Sequence, residues 1–293
     1  MKTFQVIVDS ASNINKDIRD ELDVDYVKMN YTIGGKDYDA CLDWSNLSSK
    51  QYYDLLNKGK KSIVGLNNEE DYEKLFTKYL DQGLDILYIG CSSKISGVLN
   101  TAIIVANEII KRYPGRRIAC YDSLRIGDSL GLMAIDSAKM ANEGLEIDMV
   151  VAKLNMNRLK YQTYYFIDSL DYIKKPGRMN ALKHSFAKLF NKKHMVMTNK
   201  DGNLLTYKKV SGRKKAIKEL ILSVINNIEE DNEIEVVNIS HMGNIDDAMK
   251  IEAELKKNPN IKSIIINEMG SIISAYSGPK SLSVSFNGKR VTK

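Results

Sequence analysis

The stretch most informative about the fold is Leu84-Asp85-Ile86-Leu87-Tyr88-Ile89-Gly90-Cys91-Ser92-Ser93-Lys94-Ile95-Ser96-Gly97. Its first part, Leu84 to Gly90, has the length and apolar character of a buried strand, and a long helical pattern begins near Val98. Backbone N–H groups at a helix N-terminus lack internal partners and lie at the positive end of the helix dipole. The loop from Cys91 to Gly97 is therefore predicted to bind an anion, either a carboxylate or a phosphate.

The same alternation of short apolar strands and helical stretches continues along the chain, which predicts the α/β class. We expect two α/β domains, residues 1–160 and 161–293, each a mostly parallel sheet flanked by helices. The run from Val24 to Tyr31 is predicted to be one strand. Gly34-Gly35 and Asp201-Gly202 are each predicted to turn a β-hairpin.

Composition is that of a soluble globular protein, with 43% apolar and 27% charged residues in 293. No apolar run is long enough to span a bilayer, and Met1-Lys2-Thr3-Phe4 leads into a strand without a signal-peptide core. We therefore expect a cytoplasmic monomer without stable membrane insertion. The net charge of +6 is mild and its basic clusters are short and dispersed, so we expect no nucleic-acid binding, although a docking face for an acidic partner stays open.

Cysteines and histidines are few and far apart, and no C-x-x-C or H-E-x-x-H spacing occurs. We expect reduced thiols and no metal site. The residues concerned are Cys41, Cys91, Cys120, His184, His194 and His241.

Nucleotide and hydrolase motifs are missing. The chain has no G-x-G-x-x-G after its first strand and no G-x-x-x-x-G-K-[ST]. Lys94 occupies the position of the second glycine of a G-x-S-x-G nucleophile elbow, and the scattered histidines provide no assignable base.

Small polar loops follow several of the predicted strands, at Asp9 to Ser12, Cys91 to Gly97, Asp122-Ser123 and Ser274 to Gly278. The carboxyl ends of strands form the ligand crevice of open α/β sheets, although helix capping alone would explain any single loop. Arg178 lies in a Pro-Gly turn that is predicted to aim its guanidinium at an anion. The apolar residues that follow are predicted to form either an ordinary core or the lining of a cavity: Leu182, Phe186, Leu189, Phe190, Met195 and Met197.

Taken in order, these motifs resemble the DegV family of bacterial fatty-acid-binding proteins over nearly the whole chain. The resemblance rests on the order and spacing of several short motifs. They are Val8-Asp9-Ser10-Ala11-Ser12-Asn13-Ile14 (the opening D-S motif), Ser92 to Gly97 (S-S-x-L-S-G), Leu170 to Met179 (L-x-Y-L-x-K-G-G-R-I), Lys209 to Ala216 (K-x-R-G-R-K-K-A), His241 to Asn244 (H-x-G-N) and Ser277-Gly278-Pro279 (T-G-P).

The resemblance implies a protein that does no chemistry itself and needs no cofactor. It implies that a palmitate-like long-chain fatty acid is buried in a cavity of residues 161–293, with its carboxylate between the domains. The bound acid would be presented to a separate fatty-acid kinase for phospholipid synthesis. By position, Ser96 would donate its hydroxyl to the carboxylate, and Arg178 would serve the head group or the docked kinase. The other implied site residues are Ser93, Gly97, Val64, Ser62, Tyr276, Ser277 and Gly278.

Two positions depart from the family pattern. Val64 stands where the T-S-x-P motif has its threonine, and Tyr276 stands where many members have a histidine before T-G-P. Ser62 and the Tyr276 phenol are possible substitutes as donors. An alternative therefore stays open, a DegV-fold binding or regulatory protein for a different amphiphile. A third class, an enzyme with Ser96 or Ser93 as nucleophile or Arg178 in phosphoryl transfer, is disfavoured because no base is assignable.

Overall fold

The computed structural model describes residues 2–65, 67–168, 170–173, 192–229 and 233–292. In chain order its elements are β1 (Phe4–Asp9), α1 (Lys16–Leu22), β2 (Val24–Val27), β3 (Asn30–Ile33), β4 (Lys36–Asp39), α2 (Ser49–Asn57), β5 (Ile63–Val64), α3 (Glu69–Leu80), β6 (Asp85–Gly90), α4 (Val98–Ile109), β7 (Ile118–Asp122), α5 (Asp128–Asn142), α6 (Ile147–Asn157), β8 (Tyr161–Ile167), β9 (Lys192–Thr198), β10 (Leu204–Ser211), α7 (Arg213–Ile225), β11 (Ile234–His241), α8 (Ile245–Leu255), β12 (Ile261–Glu268), α9 (Ser271–Ser277) and β13 (Leu282–Asn287), with short 3-10 turns at Ile110–Arg112 and Leu170–Tyr172. The predicted α/β class is confirmed.

The first sheet is parallel throughout and has the strand order β2-β1-β6-β7. All six residues of β1 are buried, and so are the last five of β6, because helices cover both faces of the sheet. Parallel strands bring their carboxyl ends to one edge, so the loops after β1, β6 and β7 lie side by side there.

The predicted strand from Val24 to Tyr31 is wrong, because the chain changes sheets in its middle. β2 pairs with β1, whereas β3 pairs with β4 and β5 in a small antiparallel sheet. The hydroxyl of Ser10 accepts the Met29 N–H at 2.9 Å, so this backbone group is satisfied outside either ladder. The hairpin at Gly34-Gly35 is confirmed, with Ile33 opposite Lys36 and both glycines at positive φ.

The second sheet has the order β10-β9-β8-β13-β11-β12 and is not mostly parallel, contrary to the prediction. Among its described strands only β11 and β12 run parallel. One reason is local, since the confirmed hairpin at Asp201-Gly202 makes β10 antiparallel to β9. The other is long-range, since β13, the last strand, inserts between β8 and β11 and runs antiparallel to both.

The largest apolar cluster draws side chains from both sheets, including Val6 of the first and Tyr165 and Val196 of the second. Helix α5 lies between the sheets and contacts β1, β8 and β13. The strands of the first sheet end at Asp122 and those of the second begin at Tyr161. The domain boundary between residues 160 and 161 stays a prediction.

Candidate functional site

The loop from Cys91 to Gly97, called the serine loop below, is held in place by a buried carboxylate. Asp9, at the end of β1, accepts the Cys91 N–H at 2.7 Å and the Ala11 N–H at 2.9 Å. Burial raises the pKa of Asp9 to about 6, although both backbone bonds favour its charged form. The first predicted polar loop therefore positions the second.

A second carboxylate, at the end of β7, binds the same loop near the surface. Asp122 accepts the hydroxyl of Ser93 at 2.6 Å and its N–H at 3.2 Å. Ser93 is exposed, and its hydroxyl is thereby committed to Asp122. Three of the four predicted polar loops thus meet at the carboxyl edge of the first sheet, and much of their hydrogen-bonding capacity is used in holding one another.

Ser96 lies directly before α4, as the sequence predicted. Its side chain is half-buried, and its hydroxyl oxygen accepts the Val98 N–H at the long distance of 3.4 Å. The N-cap of α4 is Gly97, which is exposed and has no side chain to bind the free N–H groups of the first turn. This end of the loop therefore has more spare donor capacity than the end at Ser93.

The fourth predicted loop is instead part of a helix. Ser271–Ser277 forms α9, in which the Ser274 hydroxyl donates to the Met269 carbonyl at 3.0 Å and the Ser277 hydroxyl contacts the Met269 sulfur at 3.2 Å. Gly278 ends the helix at positive φ, and a Cβ there would lie 2.4 Å from the Tyr172 ring. Short polar residues look like a loop in sequence, but here their hydroxyls bind backbone and sulfur atoms of the same segment.

A cleft that is partly open to solvent lies between the serine loop, α9 and one face of the second sheet. Its lining is almost entirely apolar, and the Tyr165 hydroxyl is turned to the Ile126 carbonyl at 3.2 Å. The lining residues are Ile95, Ile126, Tyr165, Ile167, Ile173, Val196, Leu204, Ile273, Tyr276 and Ser277. Ile95 belongs to the serine loop, so two segments implied by the family resemblance border a single cleft.

Side-chain alternation decides which residues of β9 reach this cleft. Val196 faces it, whereas Met195 and Met197 lie in the core on the opposite face of the sheet with Leu220 of α7. These two methionines are therefore ordinary core residues, the first of the two predicted possibilities. Leu182, Phe186, Leu189, Phe190 and Arg178 lie outside the described residues.

The two departures from the family pattern belong to neighbouring elements. Val64 is half-buried on β5, opposite Tyr31, and β5 contacts α9, which carries Tyr276. Ser62, the proposed substitute donor, is buried beside Tyr52. The structure therefore brings Ile95, Tyr276 and Ser277 to one cleft and puts Val64 in an element beside it.

Two buried charged residues were missed by the sequence analysis. Asp128, at the start of α5, accepts the hydroxyls of Ser240 at 2.8 Å and Ser283 at 3.2 Å, and burial raises its pKa to about 6. Arg125 is fully buried and donates from Nη1 to the Asn199 carbonyl at 2.9 Å, and burial lowers its pKa to about 10. Both join the first half of the chain to the second sheet. Both residues flank Gly127 in the sequence, and nothing in their local sequence distinguishes a buried Asp or Arg from an exposed one.

Within the described ranges, no three His, Cys, Asp or Glu side chains cluster in a way that would hold a metal ion. The helices of this part of the chain all fall short of the length and apolar character that crossing a bilayer requires.

Comparison with known proteins agrees with this architecture. Residues 3–289 match the model of a family described as "Uncharacterised protein, DegV family". A DegV domain-containing protein of Clostridium perfringens is 30% identical over 288 residues, which cover 98% of each chain. Among solved structures, a DegV lipid binding protein from Thermotoga maritima has a TM-score of 0.86 at 22% identity over 100% of both chains. A DegV family protein from Thermus thermophilus, described for its fatty acid binding, has a TM-score of 0.86 at 20% identity over 98% of this chain and 99% of its own. This chain belongs to the DegV family.

Proposed function

We propose that this protein binds a long-chain fatty acid, with the acyl chain in the apolar cleft and the carboxylate between the two sheets near Ser96. The observation that carries the proposal is the cleft itself, which is apolar along the second sheet and bordered by the serine loop and the hydroxyl-bearing end of α9. The relatives from Thermotoga maritima and Thermus thermophilus, described as binding lipid and fatty acid, support the choice of ligand.

The tail supplies most of the affinity. Burying an acyl chain is favourable by about 0.8 kcal/mol per CH2, so a palmitate-like tail gains roughly 10 kcal/mol before the costs of immobilising it. Side chains such as Ile167, Val196 and Leu204 form no hydrogen bonds and select for nothing but apolar surface. We therefore propose a palmitate-like long-chain acid as the class of ligand.

The head group needs donors, because an ionised carboxylate is costly to remove from water unless it is hydrogen-bonded. Ser96 is the first of them, since its hydroxyl holds only the long contact to the Val98 N–H and is able to turn towards a ligand. The N–H groups of the first turn of α4 and the hydroxyl of Ser277 are the next. Arg178 remains part of the proposal as a cation for the head group or for a docked kinase.

We propose that this chain itself does no chemistry on the bound acid. Of the described histidines, neither His194 nor His241 lines the cleft, so neither would act as a general base on an acid bound there. We propose that the acid is instead presented in the cytoplasm to a separate fatty-acid kinase.

The test is extraction of the purified protein with organic solvent and mass spectrometry of the extract, followed by thermal shift of the delipidated protein with palmitate and oleate. We expect fatty acid in the extract and a rise in Tm. The variant Leu204→Trp fills the cleft and should abolish both signals. Leu205→Trp, on the opposite face of β10, is the matched control and should retain them. No extracted acid together with no thermal shift in the parent protein would overturn the proposal.

A second candidate, binding of a different amphiphile, is favoured by one observation, that Tyr276 lines the cleft where many family members have a histidine. The double substitution Val64→Thr, Tyr276→His separates the two candidates. If the natural ligand is another amphiphile, palmitate affinity should rise at least tenfold in the double variant. If it is a fatty acid, affinity should already be high in the parent protein and stay within about threefold.

A further inference from the structure

The two edge strands of the second sheet differ in how well they are protected from pairing. β10 has a bulge between Thr206 and Lys208 and carries Lys208 and Lys209, all features that discourage a further strand from adding to an edge. β12, at the other edge, runs for eight residues in unbroken register with β11. Its centre is the half-buried run Ile264 to Ile266. Among the described strands of this sheet, β12 therefore has the edge more open to a partner.

The backbone direction of β12 follows from one hydrogen bond. The Met269 N–H donates to the His241 carbonyl at 2.8 Å, so the backbone groups of Met269 face β11. Successive residues of a strand direct these groups to opposite sides. The N–H and C=O groups of Ile264, Ile266 and Glu268 therefore face the open edge, where the described part of the chain offers them no backbone partner.

This edge is complementary to itself. When two copies of β12 run antiparallel with Ile265 opposite Ile265, Ile264 lies opposite Ile266 on each side of the two-fold axis, and each such pair exchanges two N–H···O bonds. In the same register Lys262 lies opposite Glu268, once on each side of the two-fold axis. A shift of two residues in either direction keeps the backbone bonds but separates these opposite charges, so the charges select one register.

The side chains needed for the pairing are accessible. Lys262 and Glu268 are both exposed, and their present partners are on their own chain, Glu233 at 2.7 Å from Lys262 and the Ser49 hydroxyl at 2.7 Å from Glu268. Ile264 would lie opposite Ile266, which adds apolar contact between the copies.

We propose that β12 is the contact strand of a symmetric dimer of this chain, in which the two second sheets join edge to edge. An isologous contact of this kind closes on itself and does not extend into a fibre. The inference replaces the monomer expected from the sequence. It is independent of the bound ligand, because the cleft residues are not part of the edge.

The experiment is sedimentation velocity of the full chain over a concentration range from about 1 to 300 μM. The parent protein should shift from the 33.1 kDa of one chain towards twice that mass. Lys262→Glu and Glu268→Lys each place like charges at both ends of the contact and should hold the mass at one chain throughout. An equimolar mixture of these two variants places opposite charges at both ends and should recover the dimer.

Two further variants complete the design. Lys36→Glu changes the net charge equally on β4 of the small sheet and should dimerise as the parent does. Ile264→Pro removes an N–H that faces the open edge and leaves the hydrogen bonds to β11 intact, so it should weaken the dimer at least tenfold while thermal unfolding stays cooperative. A parent protein that remains a single chain at 300 μM, or charge variants that dimerise as the parent does, would overturn the proposal.

Discussion

The two sides of the cleft are built in different ways. The first sheet contributes the serine loop, which is positioned by a few short hydrogen bonds to Asp9 and Asp122. The second sheet contributes a face of apolar side chains, each of which makes many weak contacts. A side held by few strong bonds should respond sharply to the loss of single atoms, whereas the other should respond mainly to changes of volume.

The largest effect is expected for Asp9→Ala. The substitution leaves the buried N–H groups of Cys91 and Ala11 without an acceptor, and each such loss costs about 1 to 3 kcal/mol. We expect the free energy of unfolding to fall by about 4 kcal/mol in urea titrations at pH 7. Asp9→Asn keeps an acceptor oxygen and should lose less than half as much. Equal stability of Asp9→Ala and the parent protein would show that the serine loop does not depend on this carboxylate.

The next effect is on pH dependence and concerns Asp128, whose buried carboxylate has hydroxyl partners from the second sheet. Its pKa is raised from 3.8 to about 6, so its contribution to stability is complete below about pH 4 and is lost as the pH rises through 6. The difference corresponds to about 3 kcal/mol. Asp128→Asn stays neutral, so its stability should decline less between pH 4 and 7, with the remaining decline partly due to Asp9.

The measurement for Asp128 is the free energy of unfolding at half-unit steps between pH 4 and 8. Ser137→Ala, which removes a hydroxyl within α5 itself, is a control that should lower stability without changing its slope against pH. An Asp128→Asn curve parallel to that of the parent protein would contradict the prediction.

The smallest effect is on ligand binding at the serine loop. Ser96→Ala removes one proposed donor and should weaken palmitate binding by about 1 to 2 kcal/mol, roughly tenfold. Ser93→Ala removes a hydroxyl that is committed to Asp122 at 2.6 Å and should change the affinity by less than twofold. Titration with a fluorescent fatty acid compares the two variants. If Ser93→Ala weakened binding as much as Ser96→Ala, the carboxylate would lie at the other end of the loop.

Local signals in the sequence were sufficient for some elements. The hairpins at Gly34-Gly35 and Asp201-Gly202 were predicted correctly because positive φ is a property of the turn residues themselves. The strand, loop and helix around Cys91 to Gly97 were predicted for the same reason, since hydrophobic period and helix starts are set within a few residues. The family motifs added a hypothesis for the function of the serine loop, namely binding of a fatty-acid carboxylate.

Other features depended on partners far away in the chain. The direction of β13 is set by its pairing with β8 and β11. The chain leaves the first sheet after Val27, where the Ser10 hydroxyl accepts the Met29 N–H. The burial of Asp128 depends on Ser240 and Ser283, more than a hundred residues later. No window of sequence contains both partners of such contacts.

The amino-acid sequence by itself determined the α/β class, the hairpins and the serine loop at the end of a buried strand. Its ordered motifs also indicated membership of the DegV family. These depend on backbone preferences and on apolar periodicity, which act over a few residues. Only the tertiary structure decided that the second sheet is mainly antiparallel, that α9 is a helix whose end lines the cleft, that Val196 and not Met195 faces it, and that β12 has an open edge. The physical reason is that burial and strand pairing are properties of contacts between distant segments, and these exist only once the chain has folded.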